Sequence, residues 1–132
     1  MNTKKMWANL AVNGLTRTTK FYTEIGFKPK GASNELTIFT VGEDDFYINF
    51  FIKEKLETAI KGSLTDLQNG NEVVFTLAAE SEEEVDNWEK EVTAAAGNII
   101  SQPETFGEGY YGFVFSDPDG HRFNVFYMEG MM

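Results

Sequence analysis

The chain has 132 residues, 42% of them hydrophobic and 24% charged, a composition typical of one globular domain and not of a disordered chain. It contains no cysteine, which excludes disulfide bonds, thiolate catalysis and cysteine-bound metals. The formal net charge of −10 repels phosphate backbones and anionic lipids, so we expect no nucleic-acid partner, no membrane partner and a neutral or cationic ligand. A simpler reading of the same acidity is that it keeps a small protein soluble.

Residues 1–7 include two lysines, but no apolar run follows them, so the start of the chain predicts neither a signal peptide nor a membrane anchor. We therefore expect a cytoplasmic protein. From residue 7 onward the pattern of a folded domain begins.

The first half of the chain is predicted to contain one strand, one helix, three further extended segments and a second, short helix. Apolar residues from Leu15 to Ile25 follow helical spacing, and Gly26 ends that helix. A loop at 42–45 joins two β-rich runs into a hairpin. The predicted elements, in chain order, are a strand at 7–12, a helix at 15–24, strands at 27–30, 36–41 and 46–52, and a short helix at 53–61.

The second half repeats this order after a segment, 63–71, that is predicted to be a linker. Ser81 opens the helix, with Glu84 three residues later as a capping box. Two glycines in the loop at 102–109 favour either a mobile flap or a hairpin, not a phosphate-binding loop. The predicted elements are a strand at 72–78, a helix from 81 to about 96, and strands at 98–101, 110–116 and 121–128.

The two halves therefore predict a duplicated βαβββ unit in a single α+β domain over residues 1–132. The first module is placed at about 1–62 and the second at about 72–132. Two such units would bend into a cup that holds a ligand.

Several short motifs in this order resemble the vicinal oxygen chelate superfamily, which includes glyoxalases, bleomycin-resistance proteins and extradiol dioxygenases. They lie at 9–12 (NLAV), 21–22 (FY), 26–27 (GF), 81–86 (SEEEVD), 111–112 (YG) and 117–121 (DPDGH). The later motifs are similar to those of its "predicted lactoylglutathione lyase" branch. The resemblance covers nearly the whole chain and implies an open, incomplete barrel built from the two modules.

The resemblance also implies four positions for metal ligands, on the first and last strands of each module. Carried over by motif and repeat, they are Trp7, Asn49, Glu72 and Asn124. A divalent ion needs imidazole or carboxylate ligands, commonly three or more from the protein, and these positions offer one carboxylate. We therefore expect no metal cofactor, although a weak divalent-metal site stays open as an alternative.

Strand alternation predicts which side chains share the ligand face. It turns Trp7 and Asn9 away from the helix, and likewise Glu72 and Asn124. Aromatic and apolar side chains would form the wall of the cup or, equally, plain packing or a subunit interface. The full set of predicted ligand contacts is Trp7, Asn9, Tyr47, Asn49, Phe51, Glu72, Tyr111, Phe113, Asn124, Phe126 and Met128.

Glu72 is the one candidate catalytic residue. In an apolar cavity a carboxyl group can act as a general base or as the counter-charge of a cation. The competing interpretation places Glu72 at a frayed strand end in water, or paired with Arg122. His121, the only histidine, is predicted to be a hairpin residue and not a ligand.

Three functions are consistent with these residues. The first is a metal-independent protein that binds a small molecule, and the second is a lyase or other enzyme of the glyoxalase or dioxygenase type that uses Glu72. The third is a protein whose cup is filled by its own side chains. Members of the superfamily are often homodimers, and open sheet edges favour pairing, so we expect a homodimer.

Overall fold

A computed structural model describes residues 1–130 of the chain. The chain divides into two compact units, Met1–Thr65 and Asp66–Met132, and each of them contains one βαβββ module. No helix in residues 1–130 is long and apolar enough to cross a membrane.

The first unit is a four-stranded mixed sheet with a helix in its first crossover. Strand order is β1-β4-β3-β2, in which β1 and β4 are parallel and the other pairs antiparallel. The elements are β1 (Ala8–Val12), α1 (Leu15–Glu24), β2 (Lys28–Ala32), β3 (Leu36–Val41), β4 (Phe46–Ile52) and α2 (Lys53–Ile60).

The second unit repeats this topology. Strand order is β5-β8-β7-β6, again with one parallel pair, β5 and β8. The elements are β5 (Phe75–Ala78), α3 (Glu82–Ala94), β6 (Asn98–Phe106), β7 (Tyr110–Ser116) and β8 (Arg122–Met128). The predicted α+β class and tandem βαβββ order are confirmed, and neither sheet closes on itself.

One face of each sheet forms a core with its helix. In the first unit Tyr22 of α1 is fully buried, and its ring stacks on Phe50 of β4 with centroids 4.3 Å apart. In the second unit Phe115 and Phe123 stack at 5.2 Å, and Val85 of α3 is fully buried. Such burial of aromatic and branched side chains is the main stabilising contribution to a module of this size.

The predicted helix ends agree with the structure. Gly26 follows α1 with a φ of +97°, the left-handed conformation that glycine adopts without strain. At the start of α3 the Glu84 amide donates to the Ser81 hydroxyl over 3.0 Å. The Glu84 carboxylate accepts from the amide of Glu80, one residue before the cap position of the standard capping box.

Three predicted boundaries were wrong. Strand β5 begins at Phe75 and not at residue 72, because the preceding Val73 and Val74 are exposed outside the sheet. Strand β2 continues to Ala32 past an irregularity at Pro29/Gly31, so residues 31 and 32 do not interrupt it.

The third difference concerns the loop predicted at 102–109. Strand β6 runs on to Phe106 and pairs with β7 with two shifts of register, and the second shift, between Ser101 and Glu104, accommodates Pro103 in this edge strand. Only residues 107–109 form the turn. Of the two predicted alternatives, a mobile flap and a hairpin, the structure shows the hairpin.

Candidate functional site

The face of the first sheet that points away from the buried core is called here the first open face. Ladder partners in a sheet project to the same side, so the register of β1, β3 and β4 fixes its membership. It carries Asn9, Ala11, Leu36, Ile38, Thr40, Tyr47, Asn49 and Phe51. Four predicted ligand contacts, Asn9, Tyr47, Asn49 and Phe51, therefore lie on one surface.

Two of these side chains are held by each other. Asn9 and Asn49 are partners in the parallel β1–β4 ladder, and Nδ2 of Asn49 donates to Oδ1 of Asn9 over 3.2 Å. This bond fixes both amides across the centre of the first open face. The remaining amide hydrogens can donate hydrogen bonds to a polar, uncharged group, and the remaining oxygen lone pairs can accept them.

Aromatic side chains mark the end of the first open face next to the β3–β4 turn. Tyr47 lies there half-buried, and Trp7, which is 52% exposed, directly precedes β1. Ala8 pairs with Ile48, so the chain at Trp7 lies at the register of Tyr47. The Lys5 ammonium group stands 4.1 Å from the centroid of the Tyr47 ring.

The second open face is the corresponding surface of the second sheet. It is formed by Thr76, Ala78, Glu104, Phe106, Tyr110, Gly112, Val114, Asn124, Phe126 and Met128. The predicted contacts Asn124, Phe126 and Met128 lie on it. Asn124 sits between Thr76 and Val114 in the ladder and is half-buried.

Three rings form a stacked row across the second open face. The centroids of Phe106 and Tyr110 are 5.9 Å apart with planes 7° from parallel, and those of Tyr110 and Phe126 are 5.8 Å apart. Phe106 keeps 42% of its surface exposed. Rings stacked in a row on an accessible face are suited to hold a planar or apolar ligand.

The row depends on Gly112, which lies between Glu104 and Phe126 in the ladder. A Cβ at this position would stand 2.1 Å from the carbonyl oxygen of Val125 and 2.7 Å from Cβ of Phe126. Only glycine therefore fits here, and the space above it stays free for the Phe126 ring.

A cavity of about 330 Å³ adjoins the row at the carboxyl end of β8. Its walls come from the ends of β5 and β8 and include two predicted contacts, Phe126 and Met128. The lining residues are Ala78, Ala79, Glu80, Phe126, Tyr127, Met128 and Gly130. Its size is in the lower range of pockets for small organic ligands.

Two predicted contacts belong to the other face. Tyr111 and Phe113 alternate with Gly112 along β7, and Phe113, which pairs with Val125, is only 1% exposed. The hydroxyl of Tyr111 donates to Oδ1 of Asp86 on α3 over 2.5 Å. Their predicted position on the ligand face is wrong, because both side chains pack on the helix side.

The bond to Asp86 also sets the acidity of Tyr111. The hydrogen bond that the phenol donates to Asp86, together with burial and the negative charges of Asp86 and Glu82, raises the pKa of Tyr111 to about 12. The phenol is therefore a hydrogen-bond donor at neutral pH and fastens β7 to α3.

Glu72 does not line the cavity of about 330 Å³. It is exposed in a bend before β5 and belongs to neither open face as a ladder residue. The premise for a general base, a carboxyl group in apolar surroundings, is therefore not met. Arg122 is joined to this bend through its backbone amide, which donates to Oδ1 of Asn71 over 3.2 Å.

The residues at the four family positions do not fit a divalent metal ion. Trp7 and Glu72 lie outside the sheet, and Asn49 is bonded to Asn9. Within residues 1–130 no group of three His, Asp or Glu side chains is arranged to hold a metal. Carboxamides are weak neutral donors, so this donor set does not replace the imidazoles and carboxylates that such ions require.

His121 is a hairpin residue, as predicted, but its partner was not foreseen. Its Nδ1 lies 2.8 Å from Oδ2 of Asp117, and both residues are buried. Oδ1 of Asp117 accepts the amides of Asp119, Gly120 and His121 at 2.9–3.0 Å. The DPDGH motif indicates this contact, because it places an acid four residues before the histidine, across a turn.

A second hollow of about 540 Å³ lies on the helix side of the first unit, between α1 and the strands β2 and β3. Five of its lining residues carry a hydroxyl group, and Thr19 donates to Thr37 over 3.0 Å. The residues around it are Leu15, Thr16, Thr19, Lys20, Thr23, Glu24, Ala32, Ser33 and Thr37. No sequence pattern predicts this hollow, since its residues come from separate elements.

Comparison with known proteins gives one family. The family model described as Glyoxalase/Bleomycin resistance protein/Dioxygenase superfamily matches residues 6–125. No curated protein matches the chain. A solved structure of a hypothetical protein from S. aureus is 29% identical, covers 96% of this chain and 95% of its own, and has a TM-score of 0.84.

Two further solved structures share the fold at lower identity. A glyoxalase-related enzyme from Fulvimarina pelagi is 18% identical over 95% of this chain and 88% of its own, with a TM-score of 0.83. A lactoylglutathione lyase from Agrobacterium tumefaciens is 18% identical over 96% of each chain, with a TM-score of 0.68. At this identity the likeness shows the glyoxalase fold alone.

Proposed function

The chain belongs to the glyoxalase/bleomycin resistance protein/dioxygenase superfamily, also known as the vicinal oxygen chelate superfamily, and we propose that it binds a small organic molecule without a metal ion. The ligand is neutral or cationic, and the two open faces are separate candidate binding surfaces, each within its own unit. The proposed contacts are Trp7, Asn9, Tyr47, Asn49 and Phe51 in the first unit and Phe106, Tyr110, Asn124, Phe126 and Met128 in the second.

The observation that carries this proposal is the stacked row of Phe106, Tyr110 and Phe126 beside a cavity of about 330 Å³. A row of accessible rings provides apolar contact area for a planar ligand, and the cavity provides a place for a substituent. The donor set discussed above makes binding through a metal ion a poor alternative.

Charge sets the preferred class of ligand. With 21 acidic and 11 basic residues, the protein attracts cations and repels anions at long range. The polar groups on the first open face, chiefly the Asn9–Asn49 pair, are uncharged hydrogen-bonding partners. The long-range field of the protein therefore favours a neutral or cationic molecule over an anionic one.

We include a homodimer and a cytoplasmic location in the same proposal. Strands β1 and β5 each stand at the edge of their sheet, with a ladder partner on one side only within their unit. Such edges expose backbone donors and acceptors that pairing with a second copy would satisfy. Light scattering at micromolar concentration tests this part, and a stable monomer would contradict it.

The ligand proposal is tested by dye titration with matched variants. Thioflavin T serves as the cationic aromatic probe and Nile red as the neutral one, with dye fluorescence as the readout. Phe126→Ala removes the ring that belongs both to the row and to the cavity wall. Ile60→Ala, at an exposed apolar position on α2, is the control.

We expect at least one dye to bind the wild-type chain and the Ile60→Ala variant equally. Phe126→Ala should weaken that binding by about two- to tenfold, because an aromatic contact contributes roughly 0.5–1.5 kcal/mol. If neither dye binds, or if Phe126→Ala binds as tightly as the control, the proposed ligand face is wrong. Circular dichroism of both variants establishes that the fold is retained.

A further inference from the structure

The Lys5–Tyr47 contact brings a positive charge onto the first open face from within the chain itself. The ammonium group lies 4.1 Å from the ring centroid, inside the distance at which a cation is attracted to an aromatic face. Lys5 belongs to segment 1–7, which has no helix or strand and is exposed along its whole length. The Tyr47 ring, by contrast, is carried by a central strand of the sheet.

The surroundings of Tyr47 favour cations as well. Tyr47 follows the β3–β4 turn, where Glu43, Asp44 and Asp45 stand in succession. Asp45 also draws Lys28, whose ammonium group lies 3.7 Å from its Oδ1. Two lysines from distant parts of the chain thus bind at this end of the sheet. Lys28 contacts the carboxylate of Asp45, and Lys5 contacts the ring of Tyr47.

We propose that the Tyr47 ring is a subsite for an organic ammonium group, and that Lys5 competes with the ligand for it. This inference rests on the proposed function and narrows it to protonated amines at the first open face. Trp7, at the register of Tyr47 and largely exposed, supplies a second aromatic surface for the organic part of the ligand. Segment 1–7 then acts as an internal competitor that tunes affinity.

The strength of the competition follows from the exposure of Lys5. A solvent-exposed cation–π contact contributes roughly 0.5–1 kcal/mol, which corresponds to about a two- to fivefold change in a binding constant. Lys5 is therefore displaced easily by a ligand that adds its own apolar contacts. Removing the ammonium group of Lys5 should tighten binding by the same factor.

The test uses benzylammonium chloride as the probe and benzyl alcohol as its neutral analogue of similar size. Binding is followed by chemical shifts of the aromatic ¹H–¹³C signals, because this readout identifies the ring that is contacted. The variants are Lys5→Met, which keeps an unbranched apolar side chain, Tyr47→Leu, which removes the ring, and Tyr47→Phe, which keeps it.

We expect benzylammonium to shift the Tyr47 signals and to bind Lys5→Met about two- to fivefold more tightly than wild type. Tyr47→Phe should bind benzylammonium with the wild-type affinity. Tyr47→Leu should bind it at least about twofold more weakly than wild type. Benzyl alcohol should bind more weakly and be indifferent to Lys5→Met.

Equal binding of the two probes, or equal affinity of wild type and Lys5→Met, would overturn the inference. So would benzylammonium shifts confined to Phe106, Tyr110 and Phe126, although that result would leave the proposed binding function standing. Failure of the proposed function itself is a different result, in which neither dye nor amine binds to either open face.

Discussion

The hydroxyl of Tyr111 lies 2.5 Å from Oδ1 of Asp86, which joins strand β7 to helix α3 on the side away from the second open face. The ring that precedes Tyr111, that of Tyr110, stacks between Phe106 and Phe126 on the opposite side. Two adjacent tyrosines thus have different tasks, one in holding the module together and one in the proposed ligand face.

The Tyr111–Asp86 bond predicts a loss of stability at high pH. The pKa of Tyr111 is raised from its ordinary 10.0 to about 12 in the folded chain, so folding favours the protonated phenol. This stabilisation is fully present below pH 10 and is lost as pH rises from 10 to 12. Urea unfolding should show wild type about 1 kcal/mol more stable than Tyr111→Phe at pH 8.

At pH 11 the difference between wild type and Tyr111→Phe should be clearly smaller. Asp86→Asn serves as the companion variant, because it removes the charge that raises the pKa of Tyr111. A stability difference that stays constant from pH 8 to pH 11 would show that the phenol does not titrate as described.

Gly112→Ala should be strongly destabilising. The new Cβ would lie 2.1 Å from a backbone carbonyl oxygen in the neighbouring strand, which cannot move without breaking the β7–β8 ladder. Overpacking of this kind costs about 1–3 kcal/mol, and we expect the upper end or beyond. Gly62→Ala is the matched control, since a Cβ at Gly62 meets nothing within 4 Å. Equal melting temperatures for the two variants would contradict the packing described for β7 and β8.

Thr40→Val should leave stability unchanged or raise it. Thr40 is completely buried, and its Oγ1 has no hydrogen-bond partner within the part of the chain that the structure describes. Removing an unsatisfied buried hydroxyl relieves a desolvation penalty, and valine suits a strand. Thr37→Val, in the same strand, should instead cost about 1 kcal/mol, because Thr37 accepts a hydrogen bond from Thr19.

Thermal unfolding of the two threonine variants gives the comparison directly. If Thr40→Val loses as much stability as Thr37→Val, the Thr40 hydroxyl has a partner in solution and the prediction fails.

Asp117→Ala should unfold the β7–β8 hairpin more readily. The carboxylate accepts hydrogen bonds from three backbone amides and contacts His121, so its removal takes a charged partner from buried and part-buried donors of this turn. A hydrogen bond to a charged group contributes about 1.5–3 kcal/mol. We therefore expect Asp117→Ala to lower the free energy of unfolding by at least about 3 kcal/mol. Glu108→Ala, an exposed acid in the β6–β7 turn, should change stability by less than about 0.5 kcal/mol. Similar unfolding midpoints for the two variants would refute this role of Asp117.

Much of the fold could be predicted because period and turn chemistry agree. Helix α1 and strands β3, β4 and β7 begin and end at the predicted residues, and Ser81 caps α3 through Glu84. In these segments apolar residues recur with a clear period, and a glycine or a capping residue marks the end.

The errors arise where the sequence pattern has no single period. Strand β7 reads YYGFVFS, which is apolar at nearly every position, so alternation alone does not say which side faces the helix. Which side of β7 faces the helix follows from its pairing with β6 in the folded chain, and the sequence pattern does not show this pairing. Val73 and Val74 look like strand residues but remain exposed before β5, which displaced Glu72 from its predicted strand.

The most direct test of a metal-independent binding site is calorimetric titration of the purified, chelator-treated protein with zinc, nickel and manganese. We predict no stoichiometric binding of any of the three, because Trp7, Asn49, Glu72 and Asn124 do not form a ligand set for a divalent ion. Tight binding of one ion per chain, abolished by Glu72→Gln, would contradict it and restore a glyoxalase-type metal centre.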